Sequence, residues 1–139
     1  SYTAENMSAR GAYVVAEADG PRGATLLATG SEVQIALAAR EVLRREGIAA
    51  AVVSMPAWDL FDRQPAEYRQ KVLGTAGVRV AVEAGATFGW TRYVASEDAI
   101  AGMTSFGASA PHDALYEHFS ITPAAVAARV RRLIGQKNN

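Results

Sequence analysis

Ala24-Thr25-Leu26-Leu27-Ala28-Thr29, then Gly30, then Ser31-Glu32-Val33-Gln34: this stretch passes from strand to helix through a single glycine. The first segment is nearly all apolar and strand-length, which is the pattern of a strand buried on both faces. Gly30 breaks it. Ser31 and Gln34 have capping-box spacing, a hydroxyl at the N-cap and an amide three residues on. Ile35, Ala39, Val42 and Leu43 then fall at i, i+4, i+7 and i+8, one stripe of a helix, with Arg40, Arg44 and Arg45 off it. Arginines near the end suit the negative pole of that helix, and Gly47 stops it. A buried strand feeding directly into an amphipathic helix is the unit of a parallel α/β sheet.

The pattern repeats outward from this unit. Tyr13 to Ala16 reads as a short strand, and Asp19-Gly20-Pro21-Arg22-Gly23 reads as the turn that follows it. Ala49 to Met55 predicts another apolar strand, closed by Pro56. Trp58 to Phe61 suggests a short helical turn. Pro65 suits a first helical position, with a helix running to about Leu73. Val78 to Glu83 is a further strand, and Ala99 to Met103 a short last one. Pro111 opens a helix ending near Phe119. Thr122-Pro123 reads as an N-cap and first helical position, and Val126, Val130, Leu133 and Ile134 make the stripe of the closing helix. Gly135 is expected to end it. The predicted fold class is α/β: a three-layer α/β/α sandwich on a mainly parallel sheet of about five strands. Residues 1–11 read as a linker or domain edge, 12–135 as the domain, and 136–139 as a frayed polar tail.

Composition narrows the functions. The chain has 139 residues, half of them hydrophobic, enough for a core without staples. There is no cysteine, which excludes disulfides, thiolate metal sites and a cysteine nucleophile. Acidic and basic residues balance at a net charge of zero, so nothing suggests nucleic acid. No apolar run approaches the ~20 residues of a membrane span, and the first residues do not resemble a secretory signal. The expectation is a cytoplasmic protein with no membrane or nucleic-acid partner.

Four places invite a functional reading, and each has a structural one beside it. The Gly30-Ser31 helix start could hold a small anion, since helix N-termini offer free N–H groups and a positive pole. Ser31 could equally cap its own helix, and no further glycines or lysine make a phosphate loop. Glu83, at the end of a strand, could be a base or a ligand anchor. The aromatic loop after it favours an interface, with Glu83, Phe88, Trp90, Tyr93 and Phe106 as candidate contact residues. His112 and His118 are six apart and lack metal spacing, so capping or surface roles are preferred. Ser109 is not in a Gly-x-Ser-x-Gly elbow. No residue qualifies as catalytic, cofactor-binding or metal-ligating.

Beyond Glu83 the sequence becomes distinctive. Glu83-Ala84-Gly85-Ala86-Thr87-Phe88-Gly89-Trp90, then Tyr93-Val94, then Gly102-Met103-Thr104-Ser105-Phe106-Gly107-Ala108-Ser109-Ala110-Pro111 resembles the C-terminal domain of transketolase. Ala9-Arg10-Gly11-Ala12-Tyr13-Val14, Ala28-Thr29-Gly30-Ser31-Glu32-Val33, Val52-Val53-Ser54-Met55-Pro56 and Leu115-Tyr116-Glu117-His118-Phe119 are similar to it in the same order. Related thiamine-diphosphate enzymes end in the same kind of domain, and a dihydroxyacetone synthase is hard to separate. The resemblance implies a three-domain homodimer that moves a two-carbon ketol unit between sugar phosphates of the pentose phosphate pathway. Thiamine diphosphate is the electron sink and Mg²⁺ (or Ca²⁺) its metal. It also implies that the cofactor and the catalytic residues belong to other domains, and that this one serves dimer packing or regulation. Its partners would be those other domains and a second subunit. Ala18-Asp19-Gly20 lacks the first glycine of the family's Gly-Asp-Gly motif, and Asn138-Asn139 is out of place for its Asn-Asn pair. The alternative reading is a free-standing module that binds a small anion at Gly30-Ser31.

Overall fold

The computed structural model describes residues 10–30, 32–75, 77–83, 93–94, 100–102 and 122–137. Five strands form one sheet: β1 (Tyr13–Ala16), β2 (Ala24–Ala28), β3 (Ala50–Ser54), β4 (Val78–Glu83) and β5 (Ile100–Gly102), in the order β1-β3-β2-β4-β5. β2 pairs in parallel with β3 and β4, and β4 in parallel with β5, while β1 runs antiparallel along β3. The mainly parallel, five-stranded expectation holds. β2 and β3, in the middle of the sheet, are buried at every position, as strands covered on both faces must be.

Alternation sorts the side chains into two cores. Ala24, Leu26 and Ala28 of β2, Ala50 and Val52 of β3, and Val80 and Val82 of β4 face α1 (Glu32–Arg45) and α4 (Pro123–Lys137). Leu27, Val53 and Ala81 face the other way, toward α2 (Trp58–Asp62) and α3 (Ala66–Leu73). That is the three-layer sandwich. On α1 the fully buried line is Ala36, Ala39 and Leu43, with Ile35 and Val42 only half-buried. The inward face is therefore turned by part of a helical turn from the expected stripe. Two of the three residues on that buried line are alanines, with Leu43 the third. α4 follows its expected stripe more closely, with Val126 and Val130 buried.

The helix ends separate sound expectations from those the structure corrects. Gly47, at φ +82°, closes α1 as a Schellman motif: the Gly47 N–H donates to Arg44 O and the Ile48 N–H to Leu43 O. Thr122 caps α4, its Oγ1 accepting from the Ala125 N–H at 3.0 Å. Pro65, expected inside α3, sits one position earlier as the N-cap. Its ψ of 149° is extended, and its carbonyl accepts from the Arg69 N–H. Gly135 does not end α4, which continues to Lys137. Gly135 keeps an ordinary negative φ. A glycine that does not turn left-handed weakens a helix by ~1 kcal/mol without stopping it. The Ser31 cap and the 111–119 helix lie outside the described residues.

Gly11, in the stretch read as a linker or domain edge, is buried, as is Ala12, the first residue of the expected domain. At the opposite edge of the sheet, Arg22 ties three elements. Its guanidinium donates to Val72 O and Lys71 O at the end of α3, and to both Glu17 oxygens. It acts there as a cap on carbonyls that α3 leaves without helical partners. The same contact holds the Glu17 carboxyl below the usual carboxylate range. β1, the exposed edge, shifts register between Val14 and Ala16, leaving Val15 turned outward. Such a bulge blunts an edge against further pairing.

Candidate functional site

The sheet order itself points to a place. From β2 the chain crosses to β3 on one side, and from β3 it returns past β2 to β4 on the other. The carboxyl ends of β2 and β4 therefore flank the topological switch point, where open α/β sheets offer a crevice. Ala28 pairs with Val82, so the next residues, Thr29 and Glu83, stand side by side. The Thr29 hydroxyl donates to Glu83 Oε1 at 3.4 Å, a long bond. Thr29, next to the candidate Gly30, and the candidate Glu83 are thus neighbours, although 54 residues separate the bonded pair.

What this corner can do is limited by its charge. Gly30 is exposed at φ +55°, and its carbonyl accepts from the Val33 N–H in the first turn of α1. An anion would meet the positive helix pole here. Glu32 already occupies it: its Oε2 lies 3.8 Å from where a Cβ on Gly30 would stand. Glu83 accepts from Thr29, the residue before Gly30, and a carboxylate near an anion opposes it by Coulomb repulsion. Ser31 lies outside the described residues. Glu83 is a half-buried acid that joins two strand ends.

The other candidates divide. Tyr93 is brought into the core and not onto the surface: it is 5% exposed, its ring meets Trp58 at 5.3 Å and Phe61 at 6.0 Å edge-on, and its hydroxyl donates to Asp62 Oδ1 at 2.8 Å. A ring satisfied on both its apolar body and its polar tip belongs to its own domain. Phe88, Trp90, Phe106, Ser109, His112 and His118 lie outside the described residues. Sequence reading missed the Trp58–Phe61–Tyr93 cluster. Trp58 and Phe61, three apart on a short helix, signal a shared face, but nothing local announces Tyr93 as their partner.

Ala18-Asp19-Gly20 is a surface turn in which Asp19 lies 3.7 Å from Arg40. Among the described residues no three His, Cys, Asp or Glu side chains converge as metal ligands.

Comparison with known proteins agrees with this architecture. Residues 11–122 match the family model described as Transketolase-like TK C-terminal domain. The transketolase of Sinorhizobium medicae is 56% identical over 94% of this chain, and transketolase 1 of Escherichia coli is 49% identical over 91%. In each case the chain spans 19% of the relative's length. Among solved structures, the Leishmania mexicana transketolase superimposes with a TM-score of 0.80 at 40% identity. The match covers 96% of this chain and 19% of that one. A Pichia stipitis transketolase in complex with sedoheptulose-7-phosphate gives 0.77 at 34%, covering 93% and 18%.

Proposed function

The chain belongs to the transketolase family, and from that premise we propose that it serves as the C-terminal, non-catalytic domain of a longer thiamine-diphosphate enzyme. That enzyme would transfer a two-carbon ketol unit between ketose and aldose phosphates. The observation that carries the reading is the conjunction of two facts: the chain matches about a fifth of its relatives' length, and its described residues hold no cluster of His, Cys, Asp or Glu that could bind the cofactor's metal. The chemistry then falls to the remaining four-fifths, and this domain contributes packing. A cytoplasmic location accords with the absence of cysteine.

The test is direct. Titration of the chain with thiamine diphosphate and Mg²⁺ in a calorimeter is expected to show no saturable heat. A stoichiometric site of micromolar affinity or better would overturn the proposal.

The packing role is assigned to a second subunit of the same enzyme, and Glu83 with Phe88, Trp90 and Phe106 to the contact. Glu83 supports this by its half-buried place at the carboxyl edge of β4. Tyr93 is left out, because the domain's own core uses it. In the longer polypeptide, Glu83→Lys is expected to raise the dimer dissociation constant about ten-fold or more, as reversal of a partly buried interfacial charge does. Sedimentation equilibrium reads it, and an unchanged constant would remove Glu83 from the contact.

A further inference from the structure

The Arg10–Gly11–Ala12 segment is built into the domain by four separate contacts. Gly11 is buried at φ +87°, so close to α2 that a Cβ would stand 2.3 Å from both Ala57 O and Phe61 N. Its carbonyl accepts from the Ala57 N–H at 3.0 Å, just before α2 begins. The next carbonyl, of Ala12, accepts from the Tyr68 hydroxyl of α3 at 2.7 Å. The Arg10 guanidinium lies over the Tyr68 ring, 4.9 Å from its centroid, a cation–π distance. α2 and α3 thus hold two successive carbonyls and the side chain before them.

A tether between domains has free backbone groups and glycine for freedom. Here the glycine serves close approach, and both carbonyls are taken. We propose that Arg10–Ala12 is a rigid junction, a clamp formed by α2 and the Tyr68 hydroxyl, which fixes the bearing of this domain on the polypeptide N-terminal to it. Burial pushes the Tyr68 hydroxyl pKa upward, so the phenol stays a donor throughout the neutral range. The inference rests on these contacts alone and stands whether or not the functional reading above does. If both hold, the clamp sets how the C-terminal domain is presented to the rest of the enzyme.

Trypsin reads the clamp, because Arg10 is exposed and the scissile Arg10–Gly11 bond lies inside it. Cleavage needs Arg10 lifted from the Tyr68 ring and both following residues extended, which demands local opening. In the intact chain, cleavage after Arg10 is expected to be at least about ten-fold slower than in a synthetic peptide of residues 4–17. Tyr68→Phe removes the donor to Ala12 O together with the hydroxyl's hydrogen bond with Arg10 and is expected to speed cleavage there about five-fold. Cleavage after the other arginines and lysines, and the urea midpoint, should move far less. Cleavage as fast in the chain as in the peptide would overturn the clamp. So would an unchanged rate in Tyr68→Phe, or an equal acceleration at every site, which would make the bond part of global stability and not a local latch.

Discussion

Gly11→Ala is expected to destabilise the chain by about 3 kcal/mol or more, the left-handed φ and the overpacking together. Two costs add. An alanine at φ +87° meets the left-handed penalty, and its methyl would overlap the Ala57 carbonyl and the Phe61 amide. Those obstacles are backbone atoms, so no rotamer change relieves them. Gly47→Ala provides the control. It carries a similar φ, +82°, with nothing within 4 Å of the added carbon, so it should cost only the first part, ~1 kcal/mol. In thermal unfolding, Gly11→Ala should lower Tm by about 10 °C and Gly47→Ala by about a third of that. Equal shifts would show that α2 yields to the methyl and that the close approach is not a constraint.

The same glycine shows where sequence reading succeeds and where it stops. Patterns that act within one element were legible: the apolar run of β2, the Gly47 stop of α1, the Thr122-Pro123 start of α4. Each depends on spacing over a few residues, which the sequence displays. Gly11 sits in a polar, small-residue stretch, and its purpose is set by Ala57 and Phe61, nearly fifty positions away in the chain. Nothing local distinguishes it from a linker glycine. Tyr93 was misplaced for the same reason. Its hydroxyl partner, Asp62, lies 31 residues back, so an aromatic after a glycine-rich loop looked like surface. The switch-point corner was half legible. Gly30 and Glu83 were each found, but their adjacency follows from strand order, which strand-by-strand reading does not contain.

Phe61→Ala is the core substitution expected to cost most, about 3–5 kcal/mol, by loss of transfer energy and by the cavity left behind. Phe61 is the largest fully buried side chain among the described residues. Around it the face between the sheet and α2–α3 has little to move into the gap. Leu27, Val53 and Ala81 are fixed in strands, and the rings of Tyr68 and Tyr93 lie 6.3 and 6.0 Å away, each tied through its hydroxyl. A site that cannot collapse keeps its cavity, which places the cost high in the range. Phe61→Leu fills most of the volume and should lose about 1–1.5 kcal/mol. Chemical denaturation with unchanged m-values reads both. Native-state hydrogen exchange adds the location: in Phe61→Ala the α2 and α3 amides should lose protection by more than those of α1 and α4, because the two cores lie on opposite faces of the sheet. A loss spread equally over both faces would mean that the sheet couples them into one unit, and that Phe61 stabilises the whole domain and not one side of it.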